Sequence, residues 1–256
     1  MPQPTDEAGR HLSWSLSDAY ADQLGSALLP LLASIPAGVL VFVPSYALLE
    51  RLERRWRASG AWAALALHKP CLLSEASARP PAETKKVVRE MVAQHKASVL
   101  AGRGACLLAV YRGALSEGIS FDDDDCRGVL CVGVPLPHKA EPRIQAKAQH
   151  NTALAAQQRA ARGVRVLDGE RYYEQLGWRP LSQALGRAVR HPRDYGAIVL
   201  LDERHSHADA QQHLPPWIVR HGLRTQAAPV PTEAPEAAAA LRAFFAQAEA
   251  HYPRQR

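Results

Sequence analysis

Ala105 to Phe121 reads ACLLAVYRGALSEGISF. An unbroken apolar run from Ala105 to Tyr111 gives way to a segment in which Gly113 and Gly118 bracket Ser116 and Glu117. A run this short without polar alternation is what a strand buried on both faces needs, and such strands belong to parallel sheets covered by helices. Four other runs have the same character: Gly38 to Val43, Lys69 to Leu73, Gly128 to Val134 and Ala197 to Asp202. Between the runs, Tyr46 to Arg57, Ala82 to Lys96, Pro142 to Arg162 and Leu181 to Arg190 have helical composition. The alternation predicts an α/β fold, a parallel sheet with crossover helices.

Composition is consistent with that fold. The 256 residues are 47% hydrophobic and 22% charged, the balance of a folded globular chain rather than a disordered one. A net charge of +6 permits a polyanionic partner, since excess lysine and arginine raise affinity for phosphates. Cys71, Cys106, Cys126 and Cys131 form no C-x-x-C pair, so neither a zinc site nor a disulfide framework is indicated. With no apolar stretch of about 18 residues, a membrane span is not expected. Residues 1–25 carry little signal, 26–222 form the main domain, 223–234 read as a Pro/Ala linker, and Pro235 to Tyr252 as a closing helix.

Parallel sheets place their chemistry in the loops after strands. In VLVFVPSY, Val39 to Tyr46, Pro44 ends a strand and Ser45 stands where it caps the next helix, and free N–H groups there suit a phosphate. The turn at Ser116, Glu117 and Gly118 allows close approach of a ligand to the backbone. In LSQALGRAVRH, Leu181 to His191, a helix advancing about 100° per residue puts Gln183, Arg187 and Arg190 on one face and Leu181, Leu185 and Ala188 on the other. Gly186 in its interior predicts close approach of another backbone or a ligand. A solvated face with scattered arginines is the other reading of this helix. Asp122 to Asp125 resembles a metal site, yet four adjacent carboxylates on one loop cannot all face one ion, and Asp202, Glu203, His205 and His207 match no zinc spacing and read as a surface loop. No G-x-x-x-x-G-K-[ST] phosphate loop occurs anywhere.

Taken in order, Phe42 to Tyr46 (FVPSY), Tyr111 to Asp123 (YRGALSEGISFDD) and Gln183 to Ala197 (QALGRAVRHPRDYGA) resemble motifs IV, V and VI of superfamily 2 helicases of the xeroderma pigmentosum group D type. The likeness is strongest to the Fanconi anaemia group J and telomere-elongation-regulating members, and spans roughly residues 25–250, including RGVLCVGVPLP, EPRIQAK and LPPWIV. It implies a RecA-like second helicase domain, without its own phosphate loop, from an ATP-driven five-prime to three-prime DNA helicase of the nucleus. Gln183, Arg187 and Arg190 would face ATP, with the arginines as finger residues. Glu117 and Gly118 would adjoin the nucleotide, Ser116 would help couple it to DNA, and Ser45, Tyr46 and Arg112 would lie along single-stranded or forked DNA. ATP and magnesium would be shared with a first RecA-like domain that bears the phosphate loop and the iron-sulfur cluster, so no cluster is expected in this chain. Ala114, Ser120 and Tyr111 depart from the family's basic residue, aspartate and cysteine. Asp122 is close enough in sequence to replace the aspartate. Pro180 and Gly177 fall where the family's helix continues, which predicts a helix starting at Pro180. The rival to a motor half is a non-catalytic nucleic-acid-binding or regulatory remnant of the same fold.

Overall fold

The computed structural model describes residues 17–74, 81–115, 118–162, 166–220 and 230–252. Five strands, β1 (Gly38–Val43), β2 (Cys71–Ser74), β3 (Ala105–Val110), β4 (Gly128–Val132) and β5 (Ala197–Leu201), form one sheet in the order β2-β3-β1-β4-β5. Every pairing is parallel, with Val41 opposite Leu108 on one side and Leu130 on the other. The expected runs thus all become strands of one parallel sheet.

Among the described residues nine α-helices flank the sheet: α1 (Asp18–Ser34), α2 (Tyr46–Ser59), α3 (Ala61–His68), α4 (Pro81–Leu100), α5 (Pro142–Arg162), α6 (Gly169–Leu185) and the short α7 (Ala208–Gln211) and α8 (Pro216–Arg220), then α9 (Val230–His251). Successive strand residues point to opposite faces. Val39, Val41 and Val43 therefore join one core with α1, α2 and α9, where Leu28, Leu31, Trp56 and Phe245 are buried. Leu40 and Phe42 join the other core with α4, α6 and the loop after β3, where Met91, Phe121, Leu181 and Leu185 are buried. Both cores are apolar, which accounts for the lack of polar alternation in the strands.

Besides α3, α7 and α8, which the sequence did not suggest, three elements differ from expectation. The helix α1 occupies a stretch for which the sequence suggested no element; Ser17 caps it by accepting from the Tyr20 N–H at 3.1 Å. The closing helix α9 begins at Val230, not Pro235, so 230–234 of the expected linker are helical, and the rest of that linker lies outside the described residues. Pro231 falls in its first turn, where a proline forfeits no helical hydrogen bond. The third difference, in α6, bears on the site. No described helix is long and apolar enough to cross a membrane.

Candidate functional site

The helix α6 starts at Gly169, eleven residues ahead of Pro180, with Asp168 accepting from the Arg171 N–H at 3.0 Å. Pro180 is therefore inside the helix and does not start it. Gly177 lets α6 pass close to the segment after β4: a Cβ there would lie 2.7 Å from Leu136 Cδ2. Pro180 has no N–H, so the Leu176 carbonyl one turn earlier loses its helical donor. The Arg112 guanidinium donates to that carbonyl instead.

At its other end α6 stops at Leu185, with Gly186 as C-cap in the right-handed region (φ −64°, ψ −1°). The Arg187 and Ala188 N–H groups reach back only three residues, to Ala184 and Leu185, at 3.0 and 3.1 Å. The expected helix through Arg190 therefore does not form, and Gln183, Arg187 and Arg190 do not share one helical face. Asp194 holds the turn that follows: its carboxylate accepts the Arg190 N–H at 2.8 Å, a donor that a continuing helix would have used. A Cβ added at Gly186 would meet only the Ser182 and Gln183 carbonyls, at 3.5 and 3.7 Å, so among the described residues no other segment makes the anticipated close approach. The apolar side behaves as expected, with Leu181, Leu185 and Ala188 buried.

The three polar side chains part company. Gln183 is exposed on the last turn of α6, and Arg190 is exposed beyond it. Arg187 is 6% exposed. Its guanidinium donates to the Ile119 carbonyl at 2.9 Å and lies 6.0 Å from the centre of the Phe121 ring. The second and third motifs are thereby joined through a buried cation.

The loop between β3 and β4 runs from one edge of the sheet to the other. It leaves the carboxyl end of β3 at Tyr111 and Arg112, passes beneath Arg187 at Ile119 and Phe121, and ends in a 3-10 turn, Asp123–Cys126, before the amino end of β4. Arg112 holds a left-handed backbone (φ 61°), rare for a residue with a Cβ. Gly118 is also left-handed (φ 72°) and has open space where a side chain would project. Ser116 and Glu117 lie outside the described residues. Tyr111, at the family's cysteine position, stacks on Phe42 with ring centres 5.6 Å apart, and burial pushes its hydroxyl well above the usual tyrosine range.

The acidic run is divided among separate partners. Asp122 accepts from the Ser120 hydroxyl at 2.7 Å, Asp123 lies 3.1 Å from His191 Nε2, Asp124 pairs with Arg127 at 2.9 Å and Asp125 with Lys96 at 3.0 Å. Asp202 is likewise held by Arg204 at 2.6 Å, which keeps its carboxyl below the ordinary value despite burial. At the carboxyl end of β1, the Ser45 hydroxyl caps α2 by accepting from the Leu48 N–H at 3.2 Å, and Tyr46 is half-buried against the first core. The sites suggested by sequence therefore fall in two places. Ser45, Tyr46 and Arg112 follow the carboxyl ends of β1 and β3, while Arg187 and Arg190 lie toward the amino ends of β4 and β5.

Comparison with known proteins identifies the arrangement. Residues 28–221 match a family model described as the helicase C-terminal domain. The chain belongs to the helicase C-terminal domain family. It is 36% identical over 222 residues to the regulator of telomere elongation helicase 1 of Bos taurus, covering 85% of this chain and 18% of that protein. It is 34% identical over 233 residues to the homologue from Drosophila melanogaster, covering 91% of this chain and 22% of the relative. The helicase domain thus spans about a fifth of the length of the relatives it matches. A solved XPD helicase superposes with a TM-score of 0.54 at 20% identity, over 82% of this chain and 32% of that one. An apo XPD structure gives 0.52, also at 20% identity, over 82% and 36%. These superpositions show that the fold is RecA-like.

Sequence reasoning passed over the residues that brace the Arg190 turn. Arg127, just ahead of β4, donates to Asp194 at 2.8 Å and to the Tyr195 carbonyl at 2.7 Å, and its guanidinium stacks 4.0 Å from the centre of the Tyr195 ring. The available signal was an arginine directly before an apolar strand, and an aspartate placed shortly before another.

Proposed function

We propose that this domain is the second motor domain of an ATP-dependent five-prime to three-prime DNA helicase, acting in the nucleus on single-stranded and forked DNA. Its partner is a first RecA-like domain that carries the phosphate loop and the iron-sulfur cluster. The observation that carries this reading is the docking of Arg187 on the Ile119 carbonyl. It ties the turn bearing Arg190 to a loop whose other end, at Arg112, stands on the carboxyl edge where a nucleic-acid backbone would run.

Arg190, exposed and with its backbone fixed by Asp194, extends its guanidinium toward a nucleotide held by the first domain. There it offsets charge developing on the transferred phosphoryl group. Gln183 contributes a neutral hydrogen-bonding group beside it. Buried Arg187 orients the Gly118 to Phe121 segment, so that movement at the nucleotide is passed to Ser116, Glu117 and Arg112, and from there to Ser45 and Tyr46 along the strand. The carboxylates nearest Arg190 are engaged: Asp194 by Arg127, and Asp123 by His191. Asp123, His191 and Asp194 bring ligand atoms within 4.8 Å of one another, and in this reading the ion that accompanies ATP is held by the first domain.

Joining this domain to the first motor domain of an XPD-type relative tests the reading. DNA-stimulated ATP hydrolysis is expected from the joined enzyme and from neither half alone. Tight DNA binding with no hydrolysis in the joined enzyme would favour the regulatory remnant.

A further inference from the structure

Arg179 stands three residues after Leu176 on α6, and Pro180 follows it. A proline inside a helix removes one donor, and its ring also pushes against the carbonyl four residues back. The carbonyl so displaced is that of Leu176, and it is the acceptor that the Arg112 guanidinium takes. The arrangement brings an arginine from the loop after β3 onto the same helical turn as a second arginine. Arg112 and Arg179 are both exposed, and no ion pair to either occurs among the described residues. Burial against α6, and then the nearby Arg179 charge, hold the Arg112 guanidinium below its ordinary value. Two like charges are thus kept close by backbone geometry: a left-handed Arg112 at φ 61° and a helix interrupted by proline.

We infer that Arg112 and Arg179 form a two-guanidinium clamp for one backbone phosphate of single-stranded DNA, with Pro180 as the positioning residue that frees the Leu176 carbonyl to hold Arg112. The clamp rests on the DNA reading above and adds Arg179 and Pro180 to it. A phosphate between two guanidiniums relieves their repulsion and accepts from both planar forks. Leu176 fixes the near side of Arg112, so the arginine meets the anion with little conformational freedom left to lose. The Arg179 side chain makes no hydrogen bond among the described residues. Replacing it therefore removes a cation without opening the core.

The test uses the whole chain as wild type, Arg179→Gln and Pro180→Ala. Anisotropy of a fluorescein-labelled oligo(dT) is followed across a salt series, and inorganic pyrophosphate is titrated against the arginine Nε–Hε resonances. In the wild type, pyrophosphate is expected to move the Arg112 and Arg179 resonances together. Arg179→Gln should abolish the Arg112 response and reduce the slope of log K against log salt by about 0.7, the value for one phosphate on a single strand, which is about a fivefold loss of affinity at 0.1 M salt. Pro180→Ala returns an N–H to the Leu176 carbonyl, releases Arg112 and should reproduce that loss with both arginines present. Oligonucleotide binding unchanged in slope and affinity by either substitution would overturn the clamp and leave the DNA reading standing. Pyrophosphate shifts at both arginines in a chain that ignores the oligonucleotide would keep the clamp and overturn the DNA reading.

Discussion

The guanidinium of Arg127 and the carboxylate of Asp194 meet at 2.8 Å with side chains only 6% and 2% exposed. Asp194 also accepts the Arg190 and Tyr195 N–H groups, at 2.8 and 2.9 Å. Removing one partner of such a pair strands the other charge in the interior, which costs about 3–5 kcal/mol. Arg127→Ala is expected to lower stability to urea by that amount. Replacing both at once, Arg127→Met with Asp194→Leu, should cost less than either single change, because no unpaired charge is left in the interior and Asp124, which also loses Arg127, is a third exposed. A double-mutant cycle in chemical denaturation measures this, and strictly additive losses would contradict it.

The same pair marks where the sequence could be read and where it could not. The strands were legible because burial on both faces leaves no room for polar residues between Val39 and Val43 or between Ala105 and Val110. The positions of the motifs were legible because each follows or precedes such a run. The end of α6 was not. LSQALGRAVRH has the spacing of a longer helix, and the turn that takes the place of its last part is held by a long-range pairing, Asp194 with Arg127 from 67 residues away, in which Asp194 also accepts the Arg190 N–H. Pro180 was misread for a similar reason: a proline tolerated inside a helix needs a substitute donor, and Arg112 comes from another part of the chain. The helix α1 was missed although Leu24, Leu28, Leu31 and Leu32 hold it in the core.

Ser120 offers a second prediction. Its hydroxyl donates to Asp122 at 2.7 Å on an exposed loop, which keeps a carboxylate in the region where the family carries its aspartate. Ser120→Ala should leave stability within about 0.5 kcal/mol, as for other surface changes. In the joined enzyme it should lower ATP turnover if Asp122 serves in place of that aspartate. Turnover equal to wild type in Ser120→Ala and in Asp122→Asn would remove Asp122 from the mechanism.

Lys69 gives a pH dependence far from the proposed site. Its ammonium is 3% exposed and donates to the Ile35 and Ala37 carbonyls at 2.6 and 2.9 Å. Burial lowers its pKa from 10.5 to about 8. Between those values the unfolded chain binds more protons than the folded one, so this group makes stability rise with pH across that window and contributes a constant penalty below it. The gap in unfolding free energy between wild type and Lys69→Met should therefore move in favour of the wild type as pH goes from 8 to 10. A gap that stays flat over that range would mean that the ammonium is better solvated than its position implies.

The last prediction separates Arg187 from Arg190. Both belong to the motif that supplies finger residues, yet one is buried against Ile119 and Phe121 and the other is exposed beyond the helix end. In the joined enzyme, Arg190→Ala should cut ATP turnover by about 10³-fold, the low end for losing an arginine finger, while shifting stability by less than about 0.5 kcal/mol. Arg187→Ala should also slow turnover, but it removes a buried guanidinium and leaves the Ile119 carbonyl unpaired, so it should cost on the order of 1–3 kcal/mol of stability as well. Lysine should not restore either position, because a point charge cannot reproduce the planar fork. ATPase rates and urea midpoints measured on the same four variants decide the matter. A stably folded Arg190→Ala enzyme with full turnover would refute its finger role, and an Arg187→Ala enzyme that loses turnover without losing stability would place Arg187 at the nucleotide rather than against the coupling loop.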